Sequence, residues 1–514
     1  MSKLYKVHPG MGFARVGPST DGFFLAGERP GASPLDVDAS GQDVAFRGHK
    51  DASNLMRRQG ARFRVFEYER DDGTGELSTG REITASDATV RWTVSLASAK
   101  AAGPQMVAVI GADGKRTIVP GQSLRNAAPA GFDRDDLRAT VTLHAEGRNT
   151  GPTPGQEPMA KFLGQDLFIG EARTDGDGRL IVLGGRGFSS SWTTPRSRLG
   201  EYLNNPGWYD DIADGSVDAT VTFPGQASVD AVGAWVFTTP PDFAPDIVPV
   251  TTLFDIAEQA AGTPLPNPVT YPQDVLPILQ RAATLFFVNE RPVWKVTRDN
   301  LGTLQGLDDN GAGSAANRER ARNDLLMSEN QISDFRLTAR QKQILDAWAN
   351  GAFQPQPDPA RAVPSEPSAL DRASLEHCVG GGFFPGIEAG TVLRQPSIYS
   401  ELGRLKRGSF QDHDDRTYTL APGEISSRMA CPWQADFVEC SRTWWPAQRP
   451  DITGRTANNS RVAKWHRGIA VGDEEESEPS RLNMVAHFAQ LGVILRTDAG
   501  VTEVGRDPAL DTGV

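Results

Sequence analysis

The sequence predicts an α+β protein with a β-rich N-terminal body, a helical middle segment and a loop-rich C-terminal active-site region. Three observations predict it. From Tyr5 to about residue 248, short β-branched and aromatic runs recur between turn signals. From Thr252 to Asn350 the apolar residues fall at three- and four-residue spacing. Beyond residue 368 the chain holds Cys378, Cys431 and Cys440 and four tryptophans among many glycines and prolines. The regions are accordingly set at 1–250, 251–368 and 369–514.

In the first region RFRVFEYE, TVRWTVSL, QMVAVIG, RLIVLGGRG, DATVTFPG and AVGAWVFTTPP read as strands, mostly antiparallel. In the second, TTLFDIAEQAA, PQDVLPILQRAATLFFV and DFRLTARQKQILDAWANG read as helices. DDNGAGSAANRERARND reads as a solvated loop entering a charged helix, and FQPQPDPARAVPSEPS as a proline-rich connector. In the third, few periodic segments are evident, and GDEEESEPS reads as a solvent-washed acidic loop.

The chain has 514 residues and a net charge of −12. It contains no lysine- and arginine-rich run, which excludes a general nucleic-acid role because phosphate binding needs a basic surface. No stretch of 18 apolar residues occurs, and MSKLYKVHPGMGF lacks a signal-peptide core, so no membrane association and a cytoplasmic location are expected. Three cysteines cannot make a disulfide framework in a chain of this size. The seven histidines show neither HxH nor HExxH spacing, and no metal site is expected.

Several local patterns carry bland readings. Gly184-Gly185-Arg186-Gly187 follows a strand but lacks dinucleotide-site spacing, and reads as a tight turn. Asp210, Asp211 and Asp214 read as turn residues before a cation site. Cys378 next to His377 makes a poor nucleophile–base pair, because chain neighbours usually point apart.

Motifs in order along the chain carry a resemblance. They are Tyr5-Lys6-Val7-His8-Pro9 with Gly12-Phe13-Ala14-Arg15-Val16-Gly17, then Arg62-Phe63-Arg64, VSLASAKAA (94–102), DGRLIVLGGRG (177–187), NNPGWYDDIADGSVDATV (204–221) and AWVFTTPPDFAPD (234–246). They continue with Cys378-Val379-Gly380-Gly381, Phe383-Phe384-Pro385-Gly386-Ile387-Glu388, MACPWQADFVEC (429–440) and WWPAQRPD (444–451). Together they resemble the lysine ε-oxidase and glycine oxidase family of LodA-like quinoproteins. In that family a cysteine sulfur joined to an oxidised tryptophan, cysteine tryptophylquinone, takes up an amine and is reoxidised by O2, a path that an amine alone lacks.

The resemblance implies that Cys440 is the crosslinking cysteine and that Asp436 is the carboxylate needed for cofactor maturation, which would also serve as a base. It places Cys378 near the active site, and Phe488 where the family has its cofactor tryptophan. A phenyl ring cannot form that quinone. Arg186 stands at the family's glycine-turn histidine.

Three accounts stay open: another indole, from Trp444, Trp445 or Trp465, serves the cofactor; the quinone is lost and the pocket is reused; or the protein is a non-catalytic binding or assembly partner. Trp433 reads as a pocket or core aromatic. Glu388 is a candidate for the substrate amine, Arg442 or Arg449 for its carboxylate, and His487 is the titratable candidate beside Phe488. The expected partners are an amine, amino acid or peptide, a flavoprotein maturase if the quinone forms, and a second copy in a homo-oligomer.

Overall fold

The computed structural model describes residues 2–78, 80–111, 114, 116–331, 337–361, 364–380, 390–411, 417–439, 448–453, 463–470, 476–498 and 500–511. Its N-terminal body is built on a fourteen-stranded sheet, counted among the described residues. From one edge of that sheet inward Ala139–Glu146, Thr89–Ser98, Ala213–Thr222, Ala234–Thr239, Met11–Arg15 and Arg58–Arg70 lie side by side. Pairing is mostly antiparallel; Met11–Arg15 runs parallel to Ala234–Thr239 with Phe13 opposite Phe237.

The strands form where alternation is clean. In Thr89–Ser98, Thr89 and Arg91 are exposed while Val90, Trp92, Val94 and Leu96 are buried, the two-residue period of a pleated strand. Trp92 also satisfies its buried indole by donating to the Gly178 carbonyl at 3.0 Å. Gly215 sits opposite Leu96 where the strands approach so closely that a Cβ would strike the Ser95 carbonyl.

Nine α-helices are described. α1 (Leu253–Ala260), α2 (Leu276–Leu285), α3 (Pro292–Thr303), α4 (Ala315–Gln331), α5 (Ala339–Ala349) and α6 (Glu366–Glu376) form the middle layer. α7 (Gly390–Leu393), α8 (Trp433–Glu439) and α9 (Glu478–His487) belong to the C-terminal region. Capping boxes start two of them: Thr252 accepts from the Asp255 amide in α1, and Thr338 accepts from the Gln341 amide in α5.

The expected strands and helices are present, with two corrections. The proline-rich connector ends earlier than its composition suggests, because Glu366 and Pro367 open α6; proline at a first helical position costs no hydrogen bond. The last residues of the acidic loop likewise build α9, with Ser477 as its cap and Glu478 in its first turn. The largest apolar cluster joins the helical layer to the C-terminal region through Trp294, Trp348, Phe243, Trp433, Trp465 and Phe488. No described helix is long and apolar enough to cross a membrane.

Candidate active site

Four of the ordered motifs converge on α8. Its first residue, Trp433, donates its amide to Asp210 Oδ2 at 3.1 Å. The same oxygen accepts from Lys100 Nζ at 2.7 Å, with both side chains fully buried. Such a pair holds geometry more than it adds stability, since desolvation offsets most of its attraction. Ser98 adds a hydroxyl bond to the Asp210 carbonyl at 2.8 Å, and Asn205 donates to the Cys431 carbonyl at 3.0 Å. Residues 98–100, 205–211 and 431–433 are thereby locked together.

Asp211 points to a different wall. Its Oδ2 accepts from the amides of Arg186 at 2.6 Å and Phe188 at 2.9 Å, holding the glycine turn that follows the Leu180–Gly184 strand. Burial pushes its carboxyl up to about 7, with the negative charge of Asp210 adding to the rise and the turn amides opposing it. Gln434 staples the turn to α8: its Nε2 donates to the Gly187 carbonyl at 2.9 Å, and its Oε1 accepts from the Ser189 hydroxyl at 2.7 Å.

The turn exists to admit a ring. Gly187 has φ of +82°, and a Cβ there would lie 3.1 Å from both Cε1 and Cε2 of Phe488 and closer still to Cζ. On another side Phe488 meets Trp433 edge to face, with centroids 4.9 Å apart and planes at 76°. Trp433 also meets Phe437 at 4.9 Å, and its Nε1 is buried without a hydrogen-bond partner among the described residues. Phe488 is 5 % exposed and closes the end of α9. Arg481 of α9 donates from Nε to Glu439 of α8 at 2.8 Å, so one ion pair fixes the helix carrying Phe488 against the helix carrying Asp436.

Asp436 lies one turn beyond Trp433 and is fully buried. His487 is half-buried and bonded through Nδ1 to Gln490 Oε1 at 2.9 Å. Trp465 belongs to the same cluster at one remove: it meets Phe243 at 4.8 Å, Phe243 meets Phe437 at 6.2 Å, and the Trp465 Nε1 donates to the Gly492 carbonyl at 2.8 Å. Arg449 is buried over the Trp465 ring and donates to the Phe437 carbonyl at 2.6 Å, which ties it to the end of α8. Cys378 packs elsewhere, at the end of α6 with Met11, Phe13 and Leu253, and its thiol donates to the Ser374 carbonyl at 3.4 Å. Cys440, Trp444, Trp445, Glu388 and Arg442 lie outside the described residues.

Sequence reasoning passes over several participants. Lys100 and Gln434 carry no pattern of their own, and Asp210 and Asp211 read as turn composition. Asp214 also has a built role, accepting from the Trp235 indole at 2.9 Å and the Ser426 amide at 2.7 Å. The three aspartates thus serve three separate pairs of partners. Lys50 is a further unexpected neighbour: it donates to the carbonyls of Asn54 and of Ala489, the residue after Phe488, and burial pulls its amine down to about 7. Cys431 donates its thiol to the Trp208 carbonyl at 3.3 Å, and burial next to Asp210 pushes it up to about 12, which makes it inert as a nucleophile.

The tryptophylquinone of the resemblance can be tested against this geometry. At position 488 it does not fit, because the ring held between Trp433 and the glycine turn is a phenyl without an indole to oxidise.

The fold and the family models that match it mark the chain as an oxidoreductase of the LodA-like amine-oxidase class. The chain belongs to the L-lysine epsilon-oxidase family: the model of the family's N-terminal domain matches residues 8–238 and that of its C-terminal domain residues 319–465. A curated relative, the L-lysine 6-oxidase of Marinomonas mediterranea, is 28% identical across 91% of this chain and 76% of its own. Solved structures of the ε-lysine oxidase from the same organism superpose with a TM-score of 0.74 at 23% identity, covering 98% of this chain and 95% of theirs. One of that enzyme as a Schiff base intermediate with L-Lys gives 0.73 at 22%.

Proposed function

We propose that this chain oxidises a primary amine carried by an amino acid or a peptide, at the site formed by α8 and the end of α9. The observation that supports it is Asp436, a fully buried carboxylate on a helix whose neighbour Trp433 touches the Phe488 ring. A carboxylate in that position can take a proton from the carbon that bears the amine. In the relatives a cysteine tryptophylquinone supplies the electrophilic carbonyl for the amine and accepts two electrons.

In this chain the indole for such a group, with Cys440 as its sulfur partner, comes from a residue other than 488. Trp433 is the described indole in ring contact with Phe488; Trp465 stands two rings further off, and Trp444 and Trp445 are close to Cys440 in sequence. His487 precedes Phe488 in the chain, and Lys50 donates to the carbonyl of Ala489, the residue that follows it. Glu388 remains a candidate for lining the substrate pocket, Cys378 packs away from it, and a flavoprotein maturase follows from the same reading.

The test is the intact mass and visible spectrum of the purified protein, with peptide mapping of residues 433, 440, 444, 445 and 465 and an assay for amine-dependent O2 consumption. A mass departing from the 55.4 kDa sequence value through a modified tryptophan, with visible colour, is expected. A colourless protein of unmodified mass that consumes no O2 with amines overturns the reading. Phe488 favours the second reading in that event, a quinone-less member with a reused pocket or a binding or assembly role.

A further inference from the structure

The helical layer holds a cavity walled by charged side chains. It measures about 230 Å3, lies among α1, α2, α5 and α6, and none of its lining residues comes from α8 or α9. Its wall alternates in charge. Three of its ion pairs are closed by hydrogen bonds: Arg281 to Asp255 at 3.0 Å, Arg361 to Asp274 at 2.7 and 3.1 Å, and Arg372 to Glu376 at 2.7 Å.

Two further pairs approach without one, Arg281 with Glu376 at 3.7 Å and Arg340 with Glu258. Arg340 and Glu258 approach only to 3.4 Å, and Arg340 Nε is buried without a hydrogen-bond partner among the described residues. Glu258 is largely removed from water, and burial lifts its carboxyl above the usual range in spite of Arg340. An arginine Nε–H buried without an acceptor is costly unless something completes it, and Glu258 beside it offers a carboxylate to a cation. A ligand that completes both must carry a cation and an anion close together, and an α-amino acid carries both on one carbon. Phe254, Ile278 and Ile344 supply an apolar wall for its side chain.

We infer that this cavity binds a free α-amino acid with an apolar side chain, its carboxylate on Arg340 and its ammonium on Glu258, apart from the candidate active site. The inference is independent of the oxidase reading. Each half of the ligand adds a charge-assisted hydrogen bond, so losing either half weakens binding by about ten-fold or more.

The experiment is calorimetric titration and thermal unfolding of the full chain with L-leucine, glycine, 4-methylpentanoate and 3-methylbutylamine, the last two being leucine without its ammonium and without its carboxylate. L-Leucine is expected to bind saturably and raise the melting temperature, glycine to bind more weakly, and each single-charge analogue to lose about ten-fold or more. Glu258→Gln and Arg340→Met are each expected to cost a similar factor, Arg340→Lys to recover part of it, and the leucine affinity of this cavity to stay the same in Asp436→Asn. Absence of saturable leucine binding overturns the inference, as does equal binding of the analogues or binding that survives both substitutions. Binding lost in Asp436→Asn but kept in Glu258→Gln also overturns it, by placing the amino acid at the candidate active site.

Discussion

Replacing Gly187 by alanine tests whether the glycine turn is shaped by Phe488. Two costs add in the native protein. Alanine at φ of +82° carries a left-handed penalty of about 1–2 kcal/mol. The new methyl also enters the ring: 3.1 Å from two ring carbons is tighter than ordinary contact, and the ring cannot retreat because Trp433 stands on another side. Overpacking of this kind costs about 1–3 kcal/mol. The sum is about 2–5 kcal/mol.

The two parts separate in a double-mutant cycle. Phe488→Ala alone should cost about 3–5 kcal/mol as a buried aromatic truncation. In that background Gly187→Ala should cost only its backbone part, leaving a coupling of about 1–3 kcal/mol. Urea unfolding followed by tryptophan fluorescence measures all four corners. Additivity within about 0.5 kcal/mol, or a cost for Gly187→Ala below about 1 kcal/mol in the native protein, would refute the reasoning.

Other consequences follow from the walls of the same site. Lys100→Met leaves Asp210 buried without its cation and should destabilise by about 3–5 kcal/mol, with Lys100→Met/Asp210→Asn recovering much of the loss; coincident unfolding curves for the single and double variants would contradict this. Asp211 has a folded-state pKa near 7, above its unfolded value, so the folded protein holds its proton longer. Its contribution is present below the unfolded pKa and is lost as pH rises toward 7. Asp211→Asn keeps an acceptor for the turn amides and should flatten that decline between about pH 4 and 7 in a series of unfolding midpoints; an unchanged slope refutes the assignment. Thr252→Ala removes the capping box of α1 and should cost about 1 kcal/mol in the same unfolding measurement, while Asp255→Asn should cost less.

What the sequence conveys of the fold depends on whether burial is one-sided. The Thr89–Ser98 strand and α1 each bury one face, so their periods of two and of three to four are legible. α3 buries only Val293, Trp294 and Thr297 among polar neighbours, too few to mark a stripe. α8 fails for the opposite cause: Trp433 through Val438 are all buried, so MACPWQADFVEC shows no polar face by which a helix would be recognised. It was legible only as a resemblance, and that same resemblance marked Asp436 and Phe488.

The rest of the site is written in register. Asp210 closes the short Trp208–Asp210 strand and Asp211 follows it, so the two side chains leave the backbone on opposite sides. One reaches Lys100 and the first amide of α8, and the other reaches the glycine turn beneath Phe488. Two adjacent carboxylates therefore position the two walls between which the aromatic ring is held. Their composition suits a turn equally well, and no single-sequence pattern reports that residues 100, 187 and 433 come to meet them. A substitution that shifted this strand by one residue would exchange the partners of Asp210 and Asp211, and it would unseat α8 and the turn together.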